Sequence, residues 1–145
     1  MSTNKRLVNA SPDQVWAVLA DGWLYPLWVV GATRIRDVDA AWPETGTKIH
    51  HSIGAWPFLI DDTAEVIDSH PPAKLRLRAR GWPIGEAEVE ITLTADGAGT
   101  QVVMREDTVS GPGVLLPEPI KGLSFAWRNA EALLRLALIA ENRAS

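Results

Sequence analysis

The chain has 145 residues, of which 46% are hydrophobic and 22% charged, proportions that are typical of a globular domain rather than a disordered segment. Its net charge of −4 and its scattered basic residues argue against nucleic-acid binding. Residues 1–13 lack the apolar segment of a signal peptide, and no apolar run is long enough to span a membrane. Because cysteine is also absent, the composition predicts a cytoplasmic protein without disulfides that forms one domain, residues 1–145.

Helix signals stand near the start of the chain. Ser11 is a favourable N-cap, Pro12 suits the first helical position, and Gln14 completes a capping box. We therefore expect a helix over residues 12–20, followed by a second short helix or turn over residues 23–28. The residues expected on the buried face of the first helix are Val15, Trp16, Val18 and Leu19.

Most of the remaining chain alternates between polar and apolar residues, as strands do, and glycine- and proline-rich turns separate the segments. The predicted strands are residues 5–10, 32–39, 46–53, 58–68, 74–81, 85–95 and 100–109. The turns between the last six strands are too short for crossover helices, so the sheet is expected to be antiparallel. A proline- and glycine-rich loop, residues 110–119, then leads to a long helix at residues 120–142.

The charges of two neighbouring strands predict how the strands pair. In a hairpin of residues 74–81 and 85–95, each outward arginine faces an outward glutamate, as cross-strand pairs prefer. The expected pairs are Arg80 with Glu86, Arg78 with Glu88 and Arg76 with Glu90. The same register, continued into the last strand, places Val89 opposite Glu106 and points the Glu106 carboxylate into the apolar interior. A carboxylate in a core is costly unless it is paired or used, so Glu106 is the best indication of a site.

The C-terminal helix is predicted to be amphipathic. Its polar side carries Ser124, Arg128, Glu131 and Arg135, and its apolar side carries Ala126, Ala130, Leu133, Leu136, Ala137 and Ala140. Asn129 falls on the apolar side, where its amide either bonds to backbone or buried water or lines a cavity between helix and sheet. Phe125 and Trp127 flank this side and are expected to close the ends of such a cavity.

Five segments are typical of one known family: residues 8–16 (VNASPDQVW), 28–31 (WVVG), 70–75 (HPPAKL), 99–102 (GTQV) and 128–131 (RNAE). With these segments the chain resembles the START-like superfamily (also called helix-grip, Bet v 1-like or SRPBCC) and, within it, the polyketide cyclase/dehydrase-like branch of small bacterial proteins. The resemblance covers essentially the whole chain. It implies an α+β helix-grip fold: a seven-stranded antiparallel sheet wrapped around a long C-terminal helix, two short helices after the first strand, and an apolar cavity between sheet and helix.

Given this fold, we expect a small hydrophobic or aromatic molecule, polyketide-like or lipid-like, to bind between the sheet and the C-terminal helix. The residues expected to line the cavity are Trp28, His51, Phe58, Met104, Glu106, Phe125, Asn129 and Leu133. No cofactor is expected. A metal site is not expected either, because the adjacent His50 and His51 point to opposite faces of their strand and no cysteine is present.

Three functions stay open at this point. A polyketide cyclase or dehydratase would use Glu106 as general base, with His51 or Asn129 donating to the enolate. A carrier or sensor would bind the ligand without converting it, whereas an interaction protein of the co-chaperone type would bind no ligand. Residues 110–119 are either an ordinary connection or a lid over the cavity. The sequence also leaves homodimer formation open.

Overall fold

The structure is a computed structural model that describes residues 2–30, 32–53, 60–81, 85–110 and 118–144. This part of the chain contains seven strands, three α-helices and one short 3₁₀ helix, Gly22–Leu24. The strands are β1 (Ser2–Val8), β2 (Ala32–Val38), β3 (Lys48–Ile53), β4 (Ile60–His70), β5 (Lys74–Gly81), β6 (Gly85–Asp96) and β7 (Gly99–Ser110). The α-helices are α1 (Pro12–Ala20), α2 (Tyr25–Trp28) and α3 (Glu118–Ala144).

All seven strands form one antiparallel sheet in the order β1-β7-β6-β5-β4-β3-β2. The strands from β2 to β7 are therefore neighbours in chain order, and β1 closes the series by pairing with β7. Helix α3 packs against β1 and β7, and it also contacts α1 and α2. The predicted helix-grip fold, with a seven-stranded sheet and a long C-terminal helix, is confirmed.

The strand register predicted from charge is confirmed for every pair between β5 and β6. Those pairs are Arg80 with Glu86, Arg78 with Glu88 and Arg76 with Glu90. Nη2 of Arg78 lies 2.9 Å from one carboxylate oxygen of Glu88, its direct partner. Arg76 reaches the same residue diagonally, with its Nη2 3.4 Å from the other carboxylate oxygen of Glu88. The same register continues into β7, where Val89 lies opposite Glu106. Slipping the strands by one residue would bury these charges, so the outer face helps to fix the inward direction of Glu106.

The start of α1 has the predicted capping box. The Gln14 backbone N–H donates to Oγ of Ser11 at 3.2 Å, and the Ser11 backbone N–H donates to Oε1 of Gln14 at 2.8 Å. The four residues predicted on its buried face, Val15, Trp16, Val18 and Leu19, are all buried. The cap starts the helix soon after β1, and α1 packs against α3, β6 and β7.

The first strand was predicted at residues 5–10, but β1 begins at Ser2 and ends at Val8. Its beginning is earlier because β1 pairs with β7 as far as Ser2, which lies opposite Glu106. Its end is earlier because the chain turns towards α1, and the Asn9 backbone N–H donates to a carboxylate oxygen of Glu141 at 2.9 Å. Long-range pairing therefore decides the bounds of β1.

The prediction of the helix faces needs correction at two positions of α3. The buried stripe runs through Asn129, Leu133, Leu136 and Ala140. Ala130, predicted on the apolar side, is exposed. Trp127, predicted to close the cavity, projects from the opposite side of the helix and is 71% exposed. The position of the buried stripe depends on how α3 is rotated against the sheet, which helical periodicity fixes only approximately.

Candidate functional site

The inner face of β7 changes from apolar to polar along the strand. Val102 and Met104 are buried in the core, and the next inward residues are Glu106 and Thr108. All four are nearly inaccessible, with Glu106 only 5% exposed. The predicted inward direction of Glu106 is therefore confirmed, and the interior becomes polar where β7 approaches its end.

The carboxylate of Glu106 is paired with the guanidinium of Arg128 on α3. Nη2 of Arg128 donates to both carboxylate oxygens at 2.9 Å. The Arg128 side chain is 35% exposed and that of Glu106 only 6%, so the arginine spans from the surface to the interior. The sequence placed Arg128 on the polar side of the helix and showed no partner for Glu106, because a long side chain at the edge of a helix face can reach inward.

A second polar group of the interior lies on α2, β3 and β4. The ring of Tyr25 lies 5.5 Å from that of Trp28 in an edge-to-face arrangement, and 5.4 Å from the imidazole of His51. Asp62 lies opposite His51 in the β3–β4 pair, so both side chains belong to the same face of the sheet. Tyr25, Trp28, His51 and Asp62 are all buried.

The charge states of this group follow from its burial. Burial raises the pKa of Tyr25 far above its ordinary value, and the Glu106 carboxylate adds to this effect, so the phenol keeps its proton. Burial also lowers the pKa of His51, although the Asp62 carboxylate acts in the opposite direction. The imidazole of His51 is therefore uncharged at neutral pH and retains one donor and one acceptor nitrogen.

Three buried polar atoms of the interior have no hydrogen-bond partner within the described part of the chain. They are Nδ1 of His51, Oγ1 of Thr108 and Nδ2 of Asn129. A fourth such atom, Nε of Arg78, belongs to the charged outer face of the sheet. Folded proteins leave few buried polar atoms unsatisfied, so three of them in one interior indicate a place where a bound molecule or water completes the bonding.

Six of the eight residues predicted to line the cavity have described side chains, and all six are buried. They are Trp28, His51, Met104, Glu106, Asn129 and Leu133. Phe58 and most of the predicted lid, residues 110–119, lie outside the described residues. The side chain of Phe125 is also outside the described part of the structure. The structure adds Tyr25, Asp62 and Arg128, of which Asp62 shares the inward strand parity of Ala64 and Val66 and could have been predicted.

A separate cleft of about 510 Å³ lies on the outside of the molecule, between α1, the 3₁₀ helix and the end of β2. Trp23 and Trp42 are among its lining residues, and none of the eight predicted site residues contributes to it. Among the described residues, no three histidine, cysteine or acidic side chains are grouped so that they could hold a metal ion. No described helix is long and apolar enough to cross a membrane.

This arrangement, a seven-stranded antiparallel sheet with a long C-terminal helix packed against it, is the helix-grip fold of the START-like superfamily. A family model described as polyketide cyclase / dehydrase and lipid transport matches residues 2–141, and the chain belongs to that family. No curated protein matches the sequence significantly.

Solved structures show the same fold at low sequence identity. A protein from Rhodobacter sphaeroides is 23% identical with a TM-score of 0.71, over 94% of this chain and 89% of its own. The Bet v 1-like protein Ara h 8.0201 is 11% identical with a TM-score of 0.73, over 95% of each chain. DynU16, a protein of the dynemicin biosynthetic locus, is 21% identical with a TM-score of 0.68, over 99% of this chain and 48% of its own.

The Glu106–Arg128 pair can be tested by a double-mutant cycle in urea unfolding. Arg128→Met leaves the buried carboxylate without this partner, and we expect the free energy of unfolding to fall by about 2–3 kcal/mol, less than for a fully buried pair. The Glu106→Gln/Arg128→Met double variant should lose less than the sum of the single losses, by at least about 1 kcal/mol.

Arg135→Met is the matched control for this cycle, because Arg135 pairs with Glu131 on the same helix at 3.1 Å while both side chains are about 40% exposed. Its loss should stay below about 0.5 kcal/mol. Additive losses in the cycle, or an Arg128→Met variant as mild as this control, would contradict the structural role of the buried pair.

The lowered pKa of His51 predicts a dependence of stability on pH. Below its ordinary pKa of about 6.5, the unfolded chain binds a proton that buried His51 does not, so stability falls as pH falls from 7 towards 5. This group contributes at most about 1.4 kcal/mol per pH unit. His51→Gln should flatten this slope relative to the wild-type protein. Equal slopes in the variant and the wild-type protein would refute the prediction.

Proposed function

We propose that the protein binds a small apolar or aromatic molecule with a polar edge between its sheet and α3, as a cytoplasmic carrier or sensor. The polar edge would bond to His51, Thr108 and Asn129. The apolar body would pack against Trp28 and Met104. Leu133 on α3 would contact this apolar body from the helix side.

The observation that carries the proposal is the set of three unpartnered polar atoms, Nδ1 of His51, Oγ1 of Thr108 and Nδ2 of Asn129. They come from β3, β7 and α3, which are far apart in the chain, yet they belong to one interior. A buried polar atom without a hydrogen bond costs about 1–3 kcal/mol. Three such costs in one interior would be offset by a ligand whose hydroxyl or carbonyl groups bond to these atoms.

The relatives support a ligand of this kind. The family description combines polyketide cyclases and dehydrases with lipid transport. Polyketides and lipids are both largely apolar molecules. DynU16 belongs to the locus for dynemicin biosynthesis. These relatives support only the general ligand class, since the fold itself hosts many functions.

Binding has more support than the two alternatives. A cyclase or dehydratase with Glu106 as general base would first have to break the contacts of both its oxygens with Arg128, which lie at 2.9 Å. A ligand-free interaction protein would have no use for unpartnered polar atoms in its interior. The geometry therefore favours a binding protein in which Glu106 has a role other than proton abstraction.

Titration calorimetry with naphthol, a small aromatic alcohol, tests the proposal. The wild-type protein should bind one naphthol, and Asn129→Leu should weaken binding by about tenfold, which corresponds to one lost hydrogen bond. The same variant should not lower the unfolding free energy of the ligand-free protein, because Nδ2 of Asn129 has no described partner to lose.

The matched control is Asn9→Leu, at an exposed asparagine, which should change neither naphthol affinity nor stability. A wild-type protein that does not bind naphthol would overturn the proposal. So would an Asn129→Leu variant that binds naphthol normally but unfolds more easily, because the amide would then be structural.

A further inference from the structure

We infer that the Glu106–Arg128 pair makes the interior site selective for uncharged ligands, so that Glu106 determines ligand specificity. The inference rests on the proposed function and adds to it the charge of the ligand. Alcohols, phenols, ketones and esters would bind, and carboxylates of the same size and shape would be rejected.

Arg128 is already bound to the carboxylate of Glu106. A carboxylate ligand in an apolar interior needs a cation, and a guanidinium is the side chain that binds carboxylates best. Nη2 of Arg128 already donates to Oε1 and Oε2 of Glu106 at 2.9 Å each. A ligand carboxylate would have to share this guanidinium with Glu106, whose negative charge already offsets that of Arg128.

The second step is the charge of the other interior groups. No lysine or arginine is among the fully buried side chains of the described residues. His51 is uncharged at neutral pH because burial lowers its pKa. Arg36 is exposed, and its Nη2 donates to the main-chain oxygens of Asp62 at 3.0 Å and His51 at 3.4 Å. Arg36 therefore already bonds to the backbone of the two strands that carry His51 and Asp62.

The third step is the presence of a second buried acid. Asp62 is 9% exposed and lies opposite His51 on the inner face of the sheet. Its charge acts on the same buried group as that of Glu106, since both carboxylates raise the pKa of Tyr25. The two carboxylates are matched by two guanidiniums, because the charge of Arg128 acts on Tyr25 and that of Arg36 acts on His51. An additional anion would therefore meet no uncompensated positive charge. The unpartnered atoms on His51, Thr108 and Asn129 suit the dipoles of a neutral ligand.

Naphthol and naphthoate form a matched pair of probes, because they share one ring system and only naphthoate is charged at pH 7.5. Calorimetric titration of the wild-type protein should show naphthol binding at least about tenfold more tightly than naphthoate. Glu106→Gln leaves Arg128 with an uncharged partner, and this variant should gain at least about tenfold in naphthoate affinity while naphthol affinity changes little.

Two further variants separate the selectivity from general effects on folding. Glu131→Gln removes the carboxylate of the exposed Glu131–Arg135 pair on the same helix and should leave the wild-type preference unchanged. Asp62→Asn keeps the Glu106–Arg128 pair and removes the second buried negative charge. It should raise naphthoate affinity several-fold without reversing the preference, and it tests the inference even if Glu106→Gln does not fold.

The outcomes distinguish this inference from the proposed function. Wild-type protein that binds both probes equally, or a folded Glu106→Gln variant that still rejects naphthoate, would overturn the charge selectivity and leave ligand binding standing. Failure of the wild-type protein to bind either probe would overturn both. A gain of naphthoate affinity in Glu131→Gln as large as in Glu106→Gln would also overturn the inference, because the effect would then come from net charge.

Discussion

The buried ion pair between Glu106 and Arg128 is the interaction on which the rest of the site depends. It joins β7, the last strand in the chain, to the C-terminal helix, and its two residues lie 22 positions apart in the chain. An isolated carboxylate could not stay in this interior, and the pair offsets its desolvation with two short charge-assisted hydrogen bonds. The position of α3 over the polar end of the sheet is thereby coupled to the charge balance of the site.

The pair also explains how a carboxylate can lie in this interior with its charge balanced. Glu106 is neutralised by Arg128, burial keeps Tyr25 protonated, and burial keeps His51 uncharged at neutral pH. The interior therefore offers hydrogen-bonding dipoles on β3, β7 and α3. They lie next to an apolar core that includes Met104 and Leu133. Such a surface orients a ligand by its hydroxyl or carbonyl groups and holds its body by apolar contact.

Much of this could be predicted from the sequence, because short-range patterns carry it. The alternation of arginine and glutamate in β5 and β6 fixed the register, and the register placed Glu106 inside. The partner Arg128 was not predictable, because it depends on the rotation of α3 against the sheet and on the reach of a long side chain. The same rotation put Trp127 on the surface. Tyr25 was missed because a short irregular helix has no periodicity from which its direction can be read.

A crystal structure of the protein with naphthol bound tests the central claim most directly. The account predicts one naphthol between the sheet and α3, with its oxygen within hydrogen-bond distance of at least one of His51 Nδ1, Thr108 Oγ1 and Asn129 Nδ2. It also predicts that Arg128 still contacts Glu106 in that complex. Naphthol bound only in the outer cleft beside Trp23 and Trp42, or bound directly to an Arg128 that has left Glu106, would contradict it.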